Sequence, residues 1–300
     1  MSSTGTADAA TSALTSHLTT SADGTPIEYV STGSGPGIVI VHGTMQSAAS
    51  QRELAHLLAD AFTVHLVNRR GRGRSGAYPA LRDFDPAREV DDVDAIVRAT
   101  GATAVLGFSS GGILVAVLGL RRPDLAVALF EPALVADGSL DLAGFLARFE
   151  HEVARGDVPA YMVTALLGTQ MGPGVLRFFP RRMLESSTSR MLGKAAGPLP
   201  VGGATVGELA ATVPYDMRIV AARADDIDEY RALAGRVLLI TAAKSPGYLR
   251  HAVSRLGELL PDAPVAVVER VGHSATQNRK EGGRPGVVAS VIRGWLGANT

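Results

Sequence analysis

Thr103-Ala104-Val105-Leu106-Gly107-Phe108-Ser109-Ser110-Gly111-Gly112 is the most informative stretch of this 300-residue chain. A short apolar run, read as a strand over 103–108, leads into Gly-x-Ser-x-Gly, and an apolar helical pattern over 112–120 follows. A strand that turns sharply into a helix around a serine holds that residue in a strained backbone geometry, and the flanking glycines relieve the crowding. The hydroxyl then stands clear of the sheet. The amides that follow it point out of a helix N-terminus, where they and the helix dipole favour a developing oxyanion. Ser109 is therefore the candidate nucleophile, in a nucleophile elbow.

Outward from this turn, strands and helices alternate. Strands are predicted over 25–31, 37–41, 63–67 and 126–130, with helices over 54–62 and 86–99. Asp85-Pro86 opens the second helix, since proline at a first helical position gives up an amide that has no intrahelical partner anyway. After Glu131-Pro132 the rhythm changes, and residues 138–232 show helical patterns without a convincing strand. Alternation resumes with a strand over 237–241, a helix over 249–260, a strand over 265–268 and a last helix over 286–296. Strands this apolar belong where helices cover both faces of a parallel sheet. The predicted fold class is α/β, a mostly parallel doubly wound sheet. Residues 21–137 and 233–300 form its core, 138–232 an inserted helical lid, and 1–20 a flexible leader.

Charge and composition remove several function classes. Lys and Arg total 29 against 29 Asp and Glu, a formal net charge of zero. Such a chain exerts no long-range pull on polyanions, so no nucleic-acid partner is expected. The absence of cysteine excludes disulfides, a thiolate nucleophile and cysteine-ligated metal. Residues 1–21 are rich in Ser, Thr and Ala and lack the basic start and continuous apolar stretch of a secretion signal. No apolar run reaches the roughly 18 residues of a membrane span, and a cytoplasmic location is expected. Gly71-Arg72-Gly73-Arg74-Ser75-Gly76 satisfies Gly-x-Gly-x-x-Gly after a strand, with Asp91 twenty residues past Gly71. However, Ala77-Tyr78-Pro79 does not open a helix whose N-terminus would face a pyrophosphate, which argues against a dinucleotide. Glu150-His151-Glu152 lacks a second histidine at zinc spacing. No cofactor and no metal are expected, and Asp91, Asp92 and Asp94 read as the solvated face of their helix.

Three motifs together resemble the α/β-hydrolase superfamily over nearly all of the chain past residue 20: the serine turn, His42-Gly43-Thr44 after the strand 37–41, and Gly272-His273-Ser274 after the last strand. Asn68-Arg69-Arg70-Gly71-x-Gly73-x-Ser75 is similar to that superfamily's Asp-x-Arg-Gly-x-Gly-x-Ser turn, with Asn68 in place of the aspartate. The resemblance implies that the amides of Thr44 and Ser110 form an oxyanion hole and that His42 fastens its loop. It also implies that His273 is the base, in the superfamily's chain order of serine, acid, histidine. His17, His56, His65, His151 and His251 fall in the leader, in helical patterns or inside a strand and read as surface or packing residues.

The acid is where this sequence departs. The superfamily's usual position follows the penultimate strand, and this chain has Thr241-Ala242-Ala243-Lys244-Ser245-Pro246 there, without a carboxylate. A serine in that slot cannot hold the charge that stabilises an imidazolium. A second position known in the superfamily lies at the end of the strand after the nucleophile helix, where this chain has Leu129-Phe130-Glu131-Pro132, 22 residues past Ser109. A carboxylate closing an apolar strand must be paired or solvated. The expected triad is Ser109, Glu131 and His273.

Five of seven methionines (Met162, Met171, Met183, Met191, Met217) fall in 138–232, with Phe145, Phe149, Tyr161, Phe178 and Phe179. They pack the lid on the sheet or line a hydrophobic pocket, for which methionine's flexible, polarizable chain is suited. Met45, Phe108, Tyr161 and Met162 are the pocket candidates. The expected reaction is hydrolysis of an ester, lactone or thioester of a hydrophobic small molecule through an acyl-enzyme on Ser109. A lyase, cyclase or acyltransferase using the same residues, or a catalytically silent ligand-binding member, are the alternatives. Oligomeric state is not legible.

Overall fold

The computed structural model describes residues 13–223 and 227–299. Eight strands form one sheet: β1 (Thr15–Thr20), β2 (Pro26–Gly33), β3 (Gly37–Val41), β4 (Thr63–Val67), β5 (Ala104–Phe108), β6 (Ala126–Phe130), β7 (Val237–Ala242) and β8 (Val265–Val268). Their spatial order is β1-β2-β4-β3-β5-β6-β7-β8. From β4 to β8 every pairing is parallel, whereas β2 runs antiparallel to both β1 and β4. The leader predicted for 1–20 is corrected over its last part. Thr15–Thr20 is an edge strand in register with Pro26–Ser31, because an alternating half-buried strand gains a ladder of backbone hydrogen bonds there. The rest of that expectation, over residues 1–12, lies outside the described residues.

Five α-helices among the described residues clothe and close the sheet besides those of the insertion. They are α1 (Arg52–Leu58), α2 (Ala87–Thr100), α3 (Ser110–Arg121), α8 (Gly247–Leu259) and α9 (Pro285–Asn299), with a short 3-10 turn at His273–Thr276. Strand periodicity sorts the core into two layers. Val105, Val237 and Leu239 pack with α2, α3 and α8 on one face, while Leu106, Phe108, Leu238 and Ile240 pack with α1 and α9 on the other. Successive side chains of a strand point to opposite faces, so strands covered on both sides must be apolar at every position.

Between β6 and β7 lie α4 (Leu142–Ala154), α5 (Val158–Gly168), α6 (Arg181–Leu192) and α7 (Val206–Ala222), a helical insertion. Asp141 and Asp157 cap α4 and α5 by accepting from Gly144 N–H and Ala160 N–H. Thr205 and Glu208 close a reciprocal capping box at the start of α7. Pro214 sits inside α7 and gives up one amide, which orphans the Ala210 carbonyl one turn earlier. Tyr161 of α5 donates its hydroxyl to that oxygen at 3.1 Å, so the broken helical bond is replaced by a tie between helices.

Candidate active site

Ser109 joins β5 to α3 at φ 55° and ψ −123°, a backbone state that costs a non-glycine residue about 1–3 kcal/mol. The strain is held from three sides. Ser109 N–H donates to Phe130 O of β6 at 3.2 Å, and Ser109 O accepts from Gly112 N–H at 2.9 Å and Ala133 N–H at 3.1 Å. The glycines around it are sterically required. A Cβ on Gly111 would lie 2.4 Å from the His42 carbonyl, and one on Gly43 would lie 2.8 Å from the Ser109 Cβ. The His-Gly loop and the serine turn therefore touch at backbone distance, which brings Thr44 beside Ser110, their hydroxyls 3.2 Å apart. Ser110 N–H opens α3, where no intrahelical acceptor exists. Neither it nor Thr44 N–H is hydrogen bonded by the described residues.

His42 is fully buried and accounts for its own position. Its Nδ1 lies 2.9 Å from Gly43 O, and its Nε2 accepts from Arg69 N–H at 3.4 Å, a pattern that suits the neutral ring. Burial, with the Arg72 and Arg69 charges, holds its pKa well below the ordinary histidine value. It is a loop fastener.

Glu131 follows β6 with φ 43° and no solvent exposure. Its Oε1 accepts from Thr241 Oγ1 at 2.8 Å and Ala242 N–H at 2.7 Å, and its Oε2 from Ser245 Oγ at 2.7 Å. The His273 Nδ1 completes the set, 2.7 Å from Oε2. Burial pushes the Glu131 carboxyl upward, but the hydrogen bond and charge of His273, aided by Ala242 and Ser245, outweigh it and hold the pKa below the usual carboxylate range. Ser245, in the slot without a carboxylate, thus donates to the carboxylate of the other slot. With Nδ1 committed, the His273 ring leaves Nε2 for the cavity that it and Ser109 both line. Ser109 Oγ and His273 are not hydrogen bonded to each other in this structure.

That cavity is about 540 Å³, within the usual range for small-molecule sites. Met45 and Met162 line it, as do Met171, Val213 and Met217 of the insertion. Phe108 and Tyr161 do not, and both expectations are corrected. Phe108 points to the α1–α9 side and packs edge-on against Phe130, the strand alternation having turned it from the cavity. Tyr161 is held beside Ala210 by the orphan carbonyl and stacks edge-on with Phe149. Phe178 and Phe179 are exposed on the insertion's outer surface.

Sequence reasoning missed a buried charge cluster under the serine turn. Arg69 forks on to Glu89 at 2.6 and 2.9 Å and reaches Asp216 Oδ1 of α7 at 2.6 Å, and Arg72 holds Asp216 Oδ2 at 2.9 Å. Ser110 Oγ donates to Asp216 at 2.8 Å and accepts from Arg69 at 3.1 Å. Burial opposes the Asp216 charge, but Arg69 and Arg72 outweigh it and keep its pKa lowered. One signal was available: a lone aspartate among the buried positions Val213, Met217 and Val220 of an apolar helix must be paired. Asp92, expected on a solvated face, is likewise buried in a two-pronged pair with Arg70. Asn68 replaces the superfamily's aspartate for a local reason. Its Nδ2 donates to the buried Glu28 carboxylate at 2.7 Å while its Oδ1 accepts from Ala48 N–H, and an aspartate there would set two carboxylates in contact.

The alpha/beta hydrolase family model matches residues 38–288. A pimeloyl-(acyl-carrier protein) methyl ester esterase of Chromobacterium violaceum is 29% identical over 258 residues, 81% of this chain and 89% of that protein. A 2-(acetamidomethylene)succinate hydrolase of Mesorhizobium japonicum is 25% identical over 246 residues, 80% of this chain and 82% of the relative. The crystal structure of an alpha/beta hydrolase from Sphaerobacter thermophilus superposes with a TM-score of 0.72 at 26% identity, covering 93% of this chain and all of that one. No helix among the described residues is long and apolar enough to cross a membrane. With the serine turn, the His-Gly loop and the sheet order in place, the chain belongs to the alpha/beta hydrolase family.

Proposed function

We propose that the protein is a serine hydrolase that cleaves an ester, lactone or thioester of a hydrophobic small molecule through an acyl-enzyme on Ser109. The observation that carries this reading is the fully buried Glu131 carboxylate 2.7 Å from His273 Nδ1, beside a cavity that Ser109 and His273 share. The relatives' names, an ester-cleaving enzyme and a hydrolase, support the class of reaction.

His273 Nε2 takes the proton of Ser109 Oγ as that oxygen attacks the substrate carbonyl. Such contacts tighten when substrate fills the site, so a loose pair in the free enzyme suits the role. The Thr44 and Ser110 amides receive the tetrahedral oxyanion, a contribution of about 3–4 kcal/mol per donor in comparable sites. Glu131 fixes the ring's tautomer and stabilises its charged form. Collapse expels the alcohol or thiol, protonated by His273, and leaves the acyl group on Ser109. A water molecule activated by the same imidazole then releases the acid. The apolar cavity takes the acyl or alcohol portion.

The test is labelling with a fluorophosphonate followed by peptide mapping, alongside turnover of aryl esters by Ser109→Ala. Modification at Ser109 and loss of turnover are expected. Wild-type turnover in the variant would remove Ser109 from the mechanism, and an unlabelled, inactive protein would favour a ligand-binding role.

A further inference from the structure

Six of the large apolar side chains that the described residues leave exposed fall on one 21-residue stretch: Met171, Val175, Phe178, Phe179, Met183 and Met191. Phe178 is the extreme, at 73% exposure. The stretch comprises the 3-10 turn Gly174–Phe178 and the outer side of α6, whose inner side packs on α5. Exposed apolar patches of this kind on a soluble-type domain mark an interaction site. Cations are interleaved with them. Arg177 lies over the Phe178 ring at 4.8 Å, Arg182 precedes Met183, Arg190 precedes Met191, and Lys194 follows. The single acidic residue of 171–194, Glu185, is taken by Arg181, and among the described residues no carboxylate pairs with Arg177, Arg182, Arg190 or Lys194. In a chain of zero net charge, this local excess is a property of the surface.

We infer that the face formed by Gly174–Phe178 and the outer side of α6 docks on an anionic lipid–water interface. Charge complementarity selects an anionic partner and opposes a second copy, which would set four unpaired cations against four. Alternation of aromatic or methionine side chains with guanidinium groups suits the boundary between headgroups and acyl chains, where both find partners at one depth. The cavity supports the same occupant. Gln170, Met171, Gly172 and Pro173 line its wall and lead directly into the turn at Gly174, so an apolar ligand leaving the interface meets the cavity within a few residues. The docking does not rest on the ester-cleaving reading, since it is measured without turnover.

The experiment is co-sedimentation of the full chain with vesicles of phosphatidylcholine alone and of phosphatidylcholine with phosphatidylglycerol in a 7:3 ratio. Binding to the anionic vesicles is expected to exceed that to neutral ones by at least about 25-fold and to fall in high salt. The exposed pair Phe178→Ser with Phe179→Ser should weaken it by about tenfold. The pair Arg177→Gln with Arg182→Gln should weaken it by roughly 25-fold, at about fivefold per cation. Both variants should keep parental turnover of a water-soluble ester. Equal binding to the two vesicle types, or binding insensitive to both pairs, would overturn the proposal. So would a dimer in sedimentation velocity that the phenylalanine variant dissociates, or retention of an acidic soluble protein with none of the vesicles.

Discussion

Replacing Glu131 by Gln should cost far more activity than stability, and the hydrogen bonds say why. Oε1 accepts from the Ala242 amide, a main-chain donor that cannot turn away, so the amide oxygen of a glutamine must take that place. Its NH2 group then faces Ser245 Oγ and His273 Nδ1. The serine hydroxyl can rotate to accept, but the imidazole can accept only by moving its proton to Nε2, the atom needed to receive the Ser109 proton. The ring is thereby locked in the wrong tautomer, and the carboxylate charge that would stabilise the imidazolium is gone. Comparable carboxylate-to-amide changes lower kcat by about 10⁴, close to 5.5 kcal/mol of transition-state stabilisation. Side-chain volume is unchanged and no cavity forms, so the midpoint of thermal unfolding should move by only a few degrees. Saturation kinetics on an aryl ester at neutral pH should show the loss in kcat with little change in KM. A variant that folds normally and turns over within tenfold of the parent would refute the tautomer argument and remove Glu131 from the mechanism.

Three further outcomes follow from the buried charges. Asp216→Asn should leave Arg69 with Glu89 alone and Arg72 with no carboxylate among the described residues, the new amide N–H facing a guanidinium, at a cost of about 3 kcal/mol and roughly 5–10 °C in thermal midpoint; a midpoint unchanged within 2 °C (roughly 1 kcal/mol) would contradict this. Asn68→Asp should destabilise by about 2 kcal/mol or more at pH 7 through contact with Glu28, and the penalty should shrink as acid protonates one carboxylate of the pair, which urea titrations at pH 7 and pH 4 would read. The native state holds His42 well below the ordinary histidine pKa, mainly by burial, and holds His65 near about 4 by burial aided by His17. The unfolded chain takes up those protons first, so stability is fully present above about pH 6.5 and falls as pH drops below it, each group contributing up to about 1.4 kcal/mol per pH unit. Unfolding free energies that stay level from pH 7 to pH 5 would exclude it.

The chemistry of this protein was written locally, and its support was not. Gly107 to Gly112, His42-Gly43 and the apolar strands are legible because a sharp turn, a close backbone approach and double burial each demand particular residues within a few positions. Glu131 was singled out through the resemblance, as a charge ending an apolar strand at the superfamily's second acid position while the usual position held none. The antiparallel β1 and β2 edge, the cavity lining and the Asp216 cluster were not. Met45 and Met162 face the cavity while Phe108 and Tyr161 do not, and what separates them is strand parity and one carbonyl orphaned by Pro214, which a count of apolar residues does not contain. Asp216 meets Ser110 across 106 residues of chain. Sequence by itself determined the α/β core and the residue types of the candidate site, since local sterics and burial dictate them. Tertiary structure alone decided which charges are paired and which side chains reach the cavity, because pairing depends on what distant segments bring together out of water.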